Sequence, residues 1–162
     1  MPLSLTSSAF PNNGTMPVIY TCDGKNISPP LDIIGIPFDA RSLVLIMEDP
    51  DAPAGTWDHW VIYDISAKTK SVAEGEEPTG THGKGSGDNL TYMGPCPHGG
   101  VHRYVFTLYA LDEILSLPEG LKKSDGYLLE SGFSSISEFL LSKNKKKLPM
   151  FNVFIYKLLT NK

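Results

Sequence analysis

A chain of 162 residues with 41% hydrophobic and 20% charged residues has the size and composition of one globular domain, with enough apolar side chains for its own core. Thirteen prolines and fifteen glycines exclude a helix bundle in favour of short strands and many turns. The net charge of −4 is uneven: residues 1–120 carry 6 Lys and Arg against 15 Asp and Glu, net −9, an acidic body that excludes nucleic-acid binding, and residues 121–162 carry 8 against 3, net +5.

The amino-terminal stretch MPLSLTSSAFPNNG lacks the basic flank and long apolar centre of a secretory signal, which predicts a cytoplasmic protein. Nowhere does an apolar run reach the roughly 18 residues needed to span a bilayer. Short strands are predicted at 3–6, 17–21 and 31–36. The strongest strand is 42–49, SLVLIMED, aliphatic and free of breakers. It runs into Asp49-Pro50-Asp51-Ala52-Pro53, whose residue types favour a turn. A second strand follows at 57–65, WDHWVIYDI, where simple alternation places Trp57, His59, Val61 and Tyr63 on one face. The polar, glycine-rich stretch 73–91 reads as a long surface loop.

The third strong strand, 101–111, has His102, Tyr104, Phe106, Leu108 and Ala110 on one face and Arg103, Val105, Thr107, Tyr109 and Leu111 on the other, so it is expected to be covered on both sides. After Ser124, Leu129, Phe133, Ile136 and Leu140 recur at the spacing of one helical face. The basic run at 143–147 is most simply a solvated stretch. Beyond Pro149 the segment MFNVFIYKLL reads as a strand or an apolar tail.

Polar groups thus stand at the ends of three otherwise apolar strands: Asp49 and Asp51, then Trp57, Asp58 and His59, then His102, Arg103 and Tyr104 behind the loop Gly94-Pro95-Cys96-Pro97. Buried carboxylates and imidazoles without partners cost several kcal/mol, so such groups usually meet each other, water or a ligand. If the three strands are sheet neighbours, their polar ends converge. Histidines beside free backbone N–H groups would make an anion site tunable near neutral pH. Taken singly, His59 and His102 read as satisfied structural histidines and Asp49-Pro50-Asp51 as a turn; convergence is what turns them into a site.

Cys22 and Cys96 are the two cysteines, expected as reduced thiols in a cytoplasmic protein. The glycosylation patterns at Asn13, Asn26 and Asn89 carry no meaning without secretion.

Five pieces, in order, resemble the phosphatidylethanolamine-binding protein family, and most of all its bacterial and archaeal, Raf kinase inhibitor-like branch. They are Cys22-Asp23-Gly24-Lys25-Asn26-Ile27-Ser28-Pro29-Pro30-Leu31, Asp49-Pro50-Asp51-Ala52-Pro53, His59-Trp60, Gly94-Pro95-Cys96-Pro97 and His102-Arg103-Tyr104-Val105-Phe106. The resemblance spans about residues 3–120. It implies a mainly β fold, with a large antiparallel sheet, a second smaller sheet and peripheral helices. It also implies a small site for phosphate or phosphorylethanolamine-like anions. Carried over by motif, that site is lined by Asp49, Asp51, His59, the 94–97 backbone with Gly94, Cys96 and Pro97, His102 and Tyr104, with Trp57 at its rim. After about Gly126 the ending that such proteins usually have is not matched, so 121–162 reads as a divergent carboxyl-terminal segment of a single 1–162 domain.

The leading functional reading is a non-enzymatic binding or regulatory module for a small anionic or phosphorylated group, with a kinase or protease as conceivable protein partner and no cofactor. The alternative is a hydrolase with Cys96 as nucleophile and His59 or His102 as base, although two flanking prolines and no helix terminus offer little to activate the thiol. Asp49, His59, His102 and Cys96 have ligand types that suit zinc, but no close-spaced pair, so no metal site is expected.

Overall fold

The two breaker-free aliphatic runs form the centre of the molecule because they can be apolar on both faces and still satisfy every backbone group through neighbours. In the computed structural model, which describes residues 1–123 and the backbone of a strand at 153–160, they lie side by side. Strands β1 (Ser4–Thr6), β2 (Leu31–Ile34) and β5 (Ser71–Val72) make a three-stranded sheet in the order β1-β2-β5. Strands β3 (Ser42–Asp49), β4 (Trp57–Ser66), β6 (Thr81–His82), β7 (Gly100–Leu111) and β8 (Val153–Thr160) make a five-stranded sheet in the order β6-β4-β3-β7-β8. The pairings in both sheets are antiparallel.

The expected adjacency of 42–49, 57–65 and 101–111 therefore holds, with β3 between β4 and β7. One face of the large sheet, carrying Leu43, Leu45, Met47, Trp60, Ile62, Tyr104, Phe106 and Leu108, packs on Leu3, Leu5, Leu31 and Ile33 of the small sheet. The other face, with Val44, Ile46, Val61 and Tyr63, is covered by Leu111 at the end of β7 and by Leu117 beyond it. Each such fully buried side chain contributes on the order of 1.5–3 kcal/mol of hydrophobic free energy.

Three expectations need correction. The segment 17–21 forms a 3₁₀ turn at Val18–Tyr20, not a strand; Pro17 leads into it, and both the backbone N–H and the hydroxyl of Thr21 donate to the Val18 carbonyl. The 73–91 loop contains a short edge strand, β6, paired to Ile62 and Tyr63. The third concerns β4, where simple alternation fails. Met47 faces Trp60 but the next residue, Glu48, faces Asp58, so His59 is an extra residue in a β-bulge. A second irregularity lies between Leu43 and Leu45, next to Asp64, whose φ is 55°. The result is that Trp60 and Ile62 share the face of Leu45 and Met47, while Val61 and Tyr63 are on the other side.

The apolar run after Pro149 does form a strand, β8, in register with β7 from Gly100↔Thr160 to Thr107↔Val153. The helix expected after Ser124 lies outside the described residues.

Candidate functional site

The site is set by register. Asp49 ends β3, Trp57 opens β4 directly opposite it, and His102 and Tyr104 occupy the start of β7. The side chains of Asp49, His102 and Tyr104 share the core face by period-2 alternation. The bulge brings His59 to that face as well: its ring meets the Tyr104 ring edge-on, with centroids 5.3 Å apart. Without the extra residue, His59 would keep company with Val61.

Asp49 is the hinge of the group. It is 4% exposed, its Oδ2 accepts from His102 Nδ1 at 2.7 Å, and its Oδ1 accepts the Asp51 backbone N–H at 2.9 Å. Burial, together with the charge and hydrogen bonding of Asp49, pushes the Tyr104 phenol well up, so the hydroxyl stays protonated and remains a donor. His59 is buried, and its Nδ1 donates to the Met93 carbonyl at 2.8 Å. Burial pushes the His59 imidazole below its ordinary value, against the opposing pull of that carbonyl, Asp49 and Asp58. The ring is therefore neutral at pH 7, with the proton on Nδ1, because a carbonyl can only accept.

Both imidazoles thus spend Nδ1 on an internal acceptor, which leaves Nε2 as the position each ring can offer to a ligand. Trp57 stands at the edge of the group, 37% exposed.

Other expected site residues are placed differently. Asp51 joins the group through its backbone N–H on Asp49, and its carboxylate is spent elsewhere. Its carboxylate takes a bidentate contact from Arg103, Nε to Oδ2 at 2.8 Å and Nη2 to Oδ1 at 2.7 Å, plus the Arg103 backbone N–H at 2.8 Å. These bonds hold the Asp51 carboxyl down to about 2. The pair clamps the turn after β3 to the outer face of β7, as expected for an arginine on the strand's other side. The Gly94 N–H is also committed, to Asn26 Oδ1 at 2.8 Å, and a Cβ at this position would overlap Asn26 Oδ1 and the Tyr20 carbonyl. Gly94 is thus required for close approach and supplies no free donor. Cys96 and Pro97 lie on the segment leading into β7.

The cysteines overturn the expectation of free thiols: Cys22 and Cys96 form a disulfide across 74 residues. Their Cβ atoms are neighbours because the Cys22 N–H donates to the Pro95 carbonyl, which holds the two loops together. A sulfur bonded to sulfur is no thiolate, so in this form Cys96 has no nucleophile to offer a hydrolase.

Sequence reasoning missed Asn26, the Met93 carbonyl and Asn89, whose amide donates to the His59 carbonyl at 2.8 Å. Asn26 lies inside the first quoted motif, but its partner is 68 residues away, and no local pattern announces it.

A family model described as phosphatidylethanolamine-binding protein matches residues 6–133. The chain belongs to that family. Among curated relatives of this phosphatidylethanolamine-binding protein family member, a UPF0098 protein of Methanothermobacter thermautotrophicus is 47% identical over 129 residues, covering 76% of this chain and 85% of the relative. A UPF0098 protein of Chlamydia trachomatis is 42% identical over 134 residues, covering 80% and 88%. The crystal structure of CT736, a phosphatidylethanolamine-binding protein homolog from Chlamydia trachomatis, superposes with a TM-score of 0.80 at 34% identity over 99% of each chain. Escherichia coli YbcL shares the fold, with a TM-score of 0.78 at 20% identity over 99% of this chain and 100% of its own. Membership supports a binding or regulatory role, and no helix among the described residues is long and apolar enough to cross a membrane.

Proposed function

We propose that this chain is a non-enzymatic binding module for small anionic groups, phosphate or phosphorylethanolamine among them, with His59 and His102 as the contacts. The observation that supports it is the pair of imidazoles whose Nδ1 atoms are both spent internally, one on a carbonyl and one on a carboxylate. Each Nε2 then accepts when the ring is neutral and donates when it is protonated. An anion is held by donors, so its binding draws protons onto the rings and strengthens as pH falls. The Tyr104 hydroxyl is spent on Asp49, Asp49 orients His102, and Trp57 borders the group. Asp51, Gly94 and Pro97 shape the surrounding loops and do not contact the ligand. A protein partner, a kinase or protease among them, would be recognised through a phosphorylated or otherwise anionic side chain. The chain is a single domain under this reading, and 121–162 is its divergent end.

The test is isothermal titration of phosphorylethanolamine into the wild type and His102→Ala at pH 6 and pH 8. The ligand's own phosphate loses charge as pH falls through about 6, which by itself weakens binding. Tighter binding at the lower pH therefore reports on the histidines. Saturable binding that weakens at pH 8 and disappears in the variant is the expected result. No binding at millimolar ligand by a folded wild type overturns the reading.

A further inference from the structure

The turn between β3 and β4 carries a contact that the binding chemistry does not use. Strand β3 is paired to β4 as far as Asp49↔Trp57 and to β7 as far as Glu48↔Val105. Residues 50–56 then leave the sheet. Among the described residues, this segment is hydrogen-bonded to the rest of the molecule through Asp51 alone. The other bond of the segment, from the Gly55 N–H to the Ala52 carbonyl, is internal.

Asp51 works in two directions. Its backbone N–H donates to Asp49 Oδ1 at 2.9 Å, and its carboxylate accepts three bonds from Arg103. One of the three comes from the Arg103 backbone N–H. Continued past Glu48↔Val105, the register would set Pro50 opposite Arg103. Pro50 lies in the turn instead, so the Asp51 carboxylate stands in for the missing strand as acceptor of that N–H. A closed circuit results: Asp51 to Asp49, Asp49 to His102 at 2.7 Å, and Arg103, the chain neighbour of His102, back to Asp51. The backbone of His102 does not depend on this circuit, because Gly100, Val101 and His102 are in register with Thr160, Leu159 and Leu158 of β8. The direction of its ring does, since the ring is held by the Asp49 carboxylate. The Tyr104 hydroxyl bonds that carboxylate from β7, and the Asp51 N–H is its hold from the turn.

We infer that Asp51 is a positioning residue for the site: anchored by Arg103, it fixes the Asp49 carboxylate and thereby aims His102 Nε2 at the ligand. This rests on the anion-binding reading above. Asp51 itself touches no ligand, because its carboxylate is spent on Arg103 and its N–H on Asp49. Asp51→Ala keeps the N–H but leaves it on a turn without an anchor. Arg103→Gln is milder, because the backbone N–H at 103 still reaches Asp51 Oδ2. His59 lies outside the circuit, its Nδ1 being held by the Met93 carbonyl.

The experiment titrates phosphorylethanolamine into the wild type, Asp51→Ala and Arg103→Gln, and records the imidazole nitrogen NMR signals of each free protein at a pH where the rings are neutral. In the wild type the neutral His102 ring should carry its proton on Nδ1, because the carboxylate facing it can only accept. In Asp51→Ala the ring should become a mixture of both tautomers. If the Asp49–His102 bond is then made about a third of the time, affinity falls about threefold. Arg103→Gln should lie between that variant and the wild type, and the His59 signals should stay the same in all three proteins. Wild-type affinity in Asp51→Ala overturns the positioning role and leaves the site intact. Weaker binding with His102 still in a single Nδ1–H tautomer also counts against it, since the ring would then be aimed as before. Weaker binding with faster backbone exchange throughout β3 and β7 counts against it too, because it reports general loosening. No binding by the wild type overturns the site itself.

Discussion

The two faces of the large sheet carry buried polar clusters at the same end, one residue apart along β3, and they differ in what they leave over. On the outer face, Glu48 and Asp58 stand opposite each other, and both reach Lys123, at 2.5 Å and 2.9 Å. The two carboxylates share one ammonium, and the Asp58 backbone is further fixed by the Ser86 hydroxyl and N–H. On the inner face, Asp49 is bonded to the imidazole of His102, whose two nitrogens point in different directions from the ring. One nitrogen can be held by the protein while the other remains for a ligand. A lysine surrounded by two acids becomes part of the scaffold, whereas a histidine held at Nδ1 is aimed and still available. Exposure does not separate the clusters, since Lys123 and His102 are both largely covered, at 21% and 12% side-chain exposure.

Breaking the outer cluster should have the largest effect on stability and little on binding. Lys123→Met leaves two covered carboxylates without their cation. Discounted for their partial exposure, the loss is about 2–3 kcal/mol, to be read from urea denaturation. Phosphorylethanolamine affinity of the folded fraction should stay within about twofold, because Lys123, Glu48 and Asp58 bond to one another on the opposite face of the sheet and reach His59 only through the charge of Asp58. A large loss of affinity would show that the faces are coupled.

Altering the inner cluster should do the reverse. Asp49→Asn removes the charge that fixes His102, and the expected result is about tenfold weaker anion binding at pH 6, the value of one charge-assisted hydrogen bond. Unchanged titration curves would remove Asp49 from the orienting role.

A pH series sharpens the contrast. The folded protein keeps the His59 imidazole neutral, with its proton affinity depressed by burial, while the unfolded chain protonates near 6.5. The unfolded state binds more protons below that value, so stability should fall as pH drops from 7 towards 5. His59→Gln, which cannot take up the proton, should flatten this slope in denaturation curves measured across that range.

The clamp between the loops should matter least. Arg103→Gln breaks an exposed pair and should leave the urea midpoint at neutral pH nearly unchanged. In the wild type the Asp51 carboxyl is depressed to about 2, so its contribution is present above the ordinary carboxylate range and is lost as pH falls towards 2. The variant should lose that acid dependence, and carboxyl titration by NMR should show Asp51 returning to the ordinary range.

Much of the architecture was legible in the residues. SLVLIMED and the 101–111 run have no breakers and are apolar on both faces, and only a central strand satisfies such a pattern. Asp49, His102 and Tyr104 could be placed on a common face because alternation holds without interruption in β3 near its end and in β7. The same rule wrongly joined Val61 and Tyr63 to the face of Trp57 and His59, because a bulge at His59 shifts the phase by one residue and leaves no mark in the sequence WDHWVIYDI. The identity of Asp51 as a clamp was half legible: alternation put Arg103 on the far side of β7, and a bidentate carboxylate is what an arginine there seeks.

Sequence by itself determined the three long strands and the polar residues at their ends, because periodicity acts locally, while its five motifs carried the resemblance to the family. Tertiary structure alone decided that His59 turns towards Tyr104, that Asn26 consumes the Gly94 N–H and that Cys22 is bonded to Cys96. Each of these depends on two segments between 45 and 74 residues apart meeting within bonding distance. Register, bulges and loop closure set such meetings, and these are properties of the packed chain that no short window of residues contains.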